Sequence, residues 1–238
     1  NEAQLTEIQK LIGPVVYEIH INDLRGTYLA DYSLVTMHLR LSVAERLMYD
    51  NEMRVFHRFL HDVRTTMGET DWLALVRMAG RSLSGKAAMK ALRRAKRMLA
   101  FPEAKKSALS TLLAKYNDRK ILVFTFDTET SYEISKLHLI PAITSHIHRK
   151  ERDEIIEHFR KGILRAIVSC RVLNEGVDIP DADIAIILGG ALGEREYVQR
   201  IGRLLRPQKN KKALIFEIVC ENTMEVKSWR KRKMGLSA

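Results

Sequence analysis

The sequence predicts an α/β protein: a parallel sheet with helices on both faces, carrying an inserted helical subdomain. Two observations predict this. From Phe101 onward, short continuous apolar runs alternate with amphipathic stretches, as in strands buried on both faces between covering helices. Between residues 43 and 101 that alternation stops, and long helical periodicity takes its place.

The elements follow in chain order. "PVVYEI" and "LVTMHLRL" read as strands, with "INDLRGTYLA" between them as a helix. Ser42 is placed to cap a helix, and Glu45 stands three residues on, the spacing of a capping box. Leu47, Met48, Val55, Phe56, Phe59, Leu60 and Val63 then form an apolar stripe. "TTMGETD" and "GRSLSG" break the helical run. Beyond it come helix 103–116, strand "KILVFTF", helix 129–138, strand "IPAITS", helix 149–161 and strand "LRAIVSC". A turn at 171–183, strand "DIAIILG", helix 194–205 and strand "KALIFEIV" complete the pattern. The short basic stretch "KSWRKRK" reads as a tail. Ligands of such sheets gather beyond the carboxyl ends of the strands.

With 238 residues, 46% of them hydrophobic, the chain can bury a substantial core. No apolar run reaches the roughly 18–20 residues that span a bilayer. The start "NEAQLTEIQK" lacks the features of a signal peptide, and without an initiator Met it is expected to lie part-way into a longer protein. An intracellular, nucleoid-associated location is expected. Cys170 and Cys220 sit in apolar strand-like stretches, outside any Cys-x-x-Cys spacing, and are expected to be buried reduced thiols.

The formal net charge is +11 and is unevenly spread. From Trp72 to Phe101 no acid occurs, while Arg77, Arg81, Lys86, Lys90, Arg93, Arg94, Lys96 and Arg97 all fall there. Such a segment suits a polyanion, most often nucleic acid. The alternative is a solvated helix face, although such faces usually mix both signs.

"GRSLSGKA", Gly80–Ala87, nearly matches the phosphate-binding loop G-x-x-x-x-G-K-[ST]. Ala87 lacks the hydroxyl that holds Mg²⁺ in such loops, and the preceding "TDWLALVRMA" has helical rather than strand spacing. A turn between two helices is the expected outcome. The rival is a small self-contained NTPase that uses residues 80–87. His57 with His61, and His146 with His148, lack partners at metal spacing, so no metal site is expected.

Two stretches carry chemistry. In "VLNEGVDIPDADIAII", Gly176 allows a tight turn at a strand's carboxyl end, and Asp178 is a short acid able to accept from a sugar hydroxyl. In "EREYVQRIGRLLRP", read as a helix, Gln199, Arg203 and Arg206 fall on one face, with Ile201, Leu204 and Leu205 roughly opposite. An apolar face would then aim two guanidinium groups and an amide at one point. Surface ion pairing with Glu194 and Glu196 is the alternative for these arginines.

"NEGVDIPDADIAII" followed by "EYVQRIGRLLRP" resembles motifs V and VI of the helicase superfamily that includes the DEAD-box and DExH proteins. "Q-R-x-G-R-x-x-R-P", "GPVVYEI" and "HLIPAITSHIHRKERDEIIEHFRKG" resemble the XPB family of DNA repair and transcription helicases, particularly archaeal members. The resemblance implies two facing RecA-like domains, of which this chain holds the second. Residues 1–33 would end the first domain or link to it. Residues 34–221 would form the second, with 43–101 as a thumb-like DNA-gripping insertion, and 222–238 would be a basic tail.

It also implies roles. Arg203 and Arg206 look like arginine fingers, Asp178 a ribose ligand, and Gly176 the shaper of its turn. Gln199 would lie near the γ-phosphate or couple to the DNA side. ATP and Mg²⁺ would bind only together with the N-terminal motor domain. The chain alone is expected not to hydrolyse ATP, since Walker A and B motifs are missing from it. Thr125, Thr144 and Ser145 at strand ends suit phosphate contacts. Relatives usually carry Thr or Ser six residues before the motif V glycine, where Cys170 stands, so Ser169 or Arg171 takes that contact. The segment after Thr125, "FDTE", departs from the basic or polar residues more usual there; Phe126 is either a stacking platform or buried. Neutralising Arg93, Arg94, Lys96 and Arg97 together is expected to weaken DNA binding, with Lys86 and Lys90 on the same segment. The expected partners are DNA, the N-terminal half of the same protein, and a nuclease or another repair or transcription protein. The expected activity is 3′-to-5′ helicase or translocase action in excision repair or promoter opening. A non-catalytic DNA-binding module is the remaining alternative.

Overall fold

A computed structural model describes residues 31–68, 71–170, 182–188 and 212–237. Among them, six strands form one sheet: β1 (Asp31–Leu39), β2 (Ile121–Thr125), β3 (Ala142–Ile143), β4 (Ala166–Cys170), β5 (Ile184–Leu188) and β6 (Lys212–Cys220). The strand order is β1-β6-β5-β2-β4-β3, and every pairing is parallel. Seven helices accompany it: α1 (Val43–Met67), α2 (Trp72–Arg81), α3 (Leu83–Ala100), α4 (Glu103–Lys115), α5 (Thr128–His138), α6 (Arg149–Arg160) and α7 (Met224–Ser237).

The central strands are apolar on both sides, and their period of two divides the core. Leu122, Phe124, Ile167, Ala185, Ile187 and Ile215 face one way, against Ile156 and Phe159 of α6. Ile121, Val123, Val168, Ile184, Ile186 and Ile218 face the other, against Leu109 and Leu112 of α4 and Ile134 of α5. Described helices therefore cover both faces of the sheet. The "IPAITS" strand shortens to Ala142–Ile143, the edge of the sheet.

Residues 43–100 form a three-helix insertion with a core of its own: Phe56, Phe59 and Val63 of α1, Leu75 and Ala79 of α2, and Ala88 and Leu92 of α3. The capping box at Ser42 is present, and Glu45 also accepts from the Glu103 amide at 3.0 Å, tying the start of α1 to the start of α4. Burial pushes the Glu45 carboxyl up, but the Glu103 and Ser42 amides and the Ser42 hydroxyl outweigh it and hold the group below its ordinary value. The apolar stripe needs correction. Leu47, Met48 and Val55 are exposed, and Tyr49, Phe56, Phe59 and Val63 make the buried line. Tyr49 lies seven residues before Phe56, two helical turns along the same face, which Leu47 and Met48 miss.

Gly80–Ala87 is no phosphate loop. Residues 80 and 81 end α2, Ser82 alone joins the helices, and its hydroxyl caps α3 by accepting from the Gly85 amide. Glycine at 85 has a packing reason. A Cβ there would collide with Ala79 Cα and lie 2.6 Å from the Ala79 carbonyl oxygen. Gly85→Ala must therefore prise α2 from α3, and is expected to destabilise the protein by about 1–3 kcal/mol. A thermal midpoint equal to wild type would refute that packing.

The segment read as a basic tail is helical from Met224 to Ser237. Its first turn is anchored in the interior. Lys105, fully buried on α4, donates through Nζ to Glu225 Oε1 at 2.7 Å and Oε2 at 2.9 Å, and to the Leu99 carbonyl at 2.6 Å. Glu225 also accepts from the Cys220 amide at 2.8 Å. One ion pair thus joins α4, the end of α3, β6 and α7. Both cysteines are buried and free, as expected of reduced thiols, and burial pushes the Cys220 thiol up to about 12.

Candidate nucleic-acid interface

The described strand ends place several candidate contacts at the carboxyl edge of the sheet. Thr125 closes β2, Thr144 and Ser145 follow β3, and Ser169 stands one residue before the end of β4. Their hydroxyls differ in availability. Thr125 Oγ1 is buried and lies 2.6 Å from Ser131 Oγ, and Thr144 Oγ1 is buried and lies 2.9 Å from Tyr132 Oη. Both serve internal bonds in this conformation and present no free hydroxyl to a phosphate. Ser145 is exposed. Ser169 is buried, and its hydroxyl has no hydrogen-bond partner among the described residues.

Arg171, Gly176, Asp178, Gln199, Arg203 and Arg206 lie outside the described residues. So do "PVVYEI", "INDLRGTYLA" and the expected helix 194–205.

The basic helix α3 is described throughout. Ala88, Ala91, Leu92, Ala95 and Leu99 bury one face, which leaves Lys86, Lys90, Arg93 and Arg97 in line on the opposite, exposed one. Its cations divide into two groups. Lys86, Lys90, Arg93 and Lys96 have no carboxylate partner among the described residues. Arg94 forms a fork with Glu52, Nε to Oε1 at 2.6 Å and Nη2 to Oε2 at 2.8 Å. Arg97 reaches Asp127 Oδ1 at 2.8 Å and also pairs with Glu129.

The Arg97 bridge accounts for the acidic "FDTE" segment. Asp127 caps α5 by accepting from the Thr130 amide at 2.7 Å and the Thr130 hydroxyl at 3.0 Å, and it also accepts from the last cation of the α3 stripe. The two acids thus clasp the insertion to the carboxyl end of β2. Arg94 and Arg97, expected to grip a polyanion, are instead paired with carboxylates of this chain, although both remain at the surface. Sequence reasoning missed the clasp, and the one signal for it was the departure of that segment from its usual character. Phe126 is half-buried and lines a small cavity with Leu99, Ala100 and Met224, so it is neither fully buried nor an open stacking platform.

Among the described residues, no group of three or more His, Cys, Asp or Glu side chains could hold a metal. None of the described helices is long and apolar enough to cross a membrane.

A family model for the helicase conserved C-terminal domain matches residues 104–208. The DNA 3′-5′ translocase XPB2 of Sulfurisphaera tokodaii is 36% identical over 224 residues, 94% of this chain and 51% of that protein. The chain belongs to the XPB-type helicases. It corresponds to their C-terminal half, and spans about half the length of the XPB2 relative. The Mycobacterium tuberculosis DNA 3′-5′ helicase XPB is 29% identical over 121 residues, 50% of this chain and 22% of that one. The XPB-type half has a RecA-like fold. The Sulfolobus solfataricus SWI2/SNF2 ATPase core solved with dsDNA superposes on all of this chain and 52% of its own, with TM-score 0.61 at 16% identity. The Pyrococcus furiosus Hef helicase domain covers 87% of this chain and 58% of its own, with TM-score 0.58 at 16% identity.

Proposed function

We propose that this chain is the C-terminal motor half of an ATP-dependent 3′-to-5′ DNA helicase or translocase. One observation carries the nucleic-acid part. An XPB-type RecA-like sheet holds out a rigid helical insertion whose outer face presents Lys86, Lys90 and Arg93 without acidic partners among the described residues. A cationic face kept free of internal pairing is available to phosphates.

ATP and Mg²⁺ would be held mainly by the N-terminal motor half. Lys86 stands exposed on α3, which follows another helix, α2, and not a strand. This chain would contribute Arg203 and Arg206 toward the γ-phosphate, Asp178 toward the ribose, and Gln199 beside them. The support is the one-faced spacing of the stretch and the family. Roles in excision repair or promoter opening, an intracellular site of action, and a nuclease as partner belong to the same proposal.

Replacing Lys86, Lys90 and Arg93 together with Gln should weaken duplex binding and reduce the slope of log affinity against log salt by about 2–3, near 0.9 for each phosphate no longer neutralised. An unchanged slope would remove α3 from the interface. Arg94→Gln should alter the slope much less, since that charge is already matched by Glu52.

A further inference from the structure

A second cationic surface lies apart from the α3 stripe. A groove of about 1210 Å³ runs between α1 and the start of α7, and Lys96 from α3 also lines it. Arg46, Arg54, Arg58, Lys96, Lys227 and Arg230 border it, against a single acid among the described residues, Asp50. Arg46 is engaged, pairing with Asp50 at 2.9 Å and donating to the Asn222 carbonyl at 2.9 Å. The other five have no carboxylate partner among the described residues, and all five are exposed.

The groove is built rather than incidental. The Met224 amide donates to Tyr49 Oη at 2.9 Å, fixing the start of α7 to α1. Asn222 makes the turn into α7 with φ of 55°, a left-handed conformation that Asn tolerates. The buried Lys105–Glu225 pair fixes the first turn of α7 from within. Lys227 and Arg230 are thus held on the same groove that Arg54 and Arg58 line. Trp72 also lines the groove, with half its surface (51%) exposed.

Its position separates it from the strand-end contacts. α1 follows β1 and α7 follows β6, strands that sit together at one side of the sheet. Thr125, Ser145 and Ser169 belong to the ends of β2, β3 and β4, toward the other side.

We propose that this groove binds a single-stranded segment of nucleic acid, with Arg54, Arg58, Lys227 and Arg230 on phosphates and Trp72 stacking on a base. Rows of unpaired cations with an exposed aromatic ring are the chemistry of single-strand recognition, because the charges follow the backbone and the ring accepts any base. A duplex, whose bases are already stacked, gives Trp72 nothing to stack on. An acidic peptide could satisfy the charges but would leave the indole without a partner. The proposal rests on the reading of the chain as a nucleic-acid motor half, and adds to it a track for a separated strand.

The chain has two tryptophans, so Trp229→Phe leaves Trp72 as the sole indole reporter. Oligo(dT) should quench its fluorescence, while a blunt duplex of equal length and poly-glutamate should not. The triple variant Arg54→Gln, Arg58→Gln, Arg230→Gln should weaken oligo(dT) binding by on the order of 10- to 100-fold and lower the salt slope by about 2, near 0.7 for each phosphate of a single strand. The Lys86, Lys90, Arg93 variant should keep the quench. All three groove substitutions are at exposed positions, and circular dichroism checks that the fold is retained. If Trp229→Phe does not fold, the difference between wild type and Trp72→Phe reports the same quench. Undiminished oligo(dT) affinity in the triple variant overturns the proposal, as does quenching by poly-glutamate or duplex but not by oligo(dT). Loss of all nucleic-acid binding in the wild-type chain would instead count against the motor-half reading itself.

Discussion

Arg206→Ala, placed in a protein carrying both motor halves, is expected to lower ATP turnover on the order of 10³-fold, a barrier increase of about 4 kcal/mol. DNA affinity should stay within about twofold of wild type, since the residue is assigned to the nucleotide and not to the DNA. The expectation follows from spacing. Read as a helix, the stretch would put Gln199, Arg203 and Arg206 on one face and leave Ile201, Leu204 and Leu205 to bury the opposite one. A guanidinium fork placed where charge develops on a transferring phosphoryl group stabilises the transition state more than the bound ground state. The effect should therefore appear in kcat, measured at saturating ATP and DNA. Two other results are informative. Unchanged turnover would return Arg206 to surface pairing with Glu194 or Glu196. A parallel fall of affinity and turnover would favour a module whose arginines meet only DNA phosphates.

Lys105→Met should destabilise the protein by about 3–5 kcal/mol, because it leaves Glu225 buried and charged without its partner. For a domain of this size that is a fall in thermal midpoint of roughly 6–20 °C. The pair is fully enclosed, and the lysine also satisfies one of the last carbonyls of α3, that of Leu99. Combining Lys105→Met with Glu225→Leu should recover much of the deficit, since two apolar side chains of similar volume often replace a buried pair at little cost. A double variant no better than the single one would show that the Leu99 and Cys220 bonds matter more than the charge. Because Glu225 anchors α7, the single variant should also loosen the groove that Lys227 and Arg230 border, visible as faster amide exchange in residues 224–230.

The sheet was legible because its strands are apolar on both sides, and a buried parallel strand needs no partner information to be recognised. The capping box at Ser42 and the helix after it were legible for a similar reason, since capping joins residues three apart. Legibility ended where side chains distant in sequence decide. Arg94 and Arg97 look like their neighbours Arg93 and Lys96 along α3, but Glu52, Asp127 and Glu129 come from other elements and claim the first two. Thr125 and Thr144 sit at the strand ends foreseen for them, yet Ser131 and Tyr132, one helix away, take up their hydroxyls.

By itself, the sequence determined the order of the described elements, the family and the concentration of positive charge in one helix. These are set by local period and by residues a few positions apart. Only the tertiary structure decided which cations are left without an acidic partner, why residue 85 is glycine, and that the final basic segment is a docked helix. A buried lysine, a clasp across thirty residues and a groove shared by the two ends of the described chain are products of packing. Their energies depend on distance and burial, which no linear pattern records.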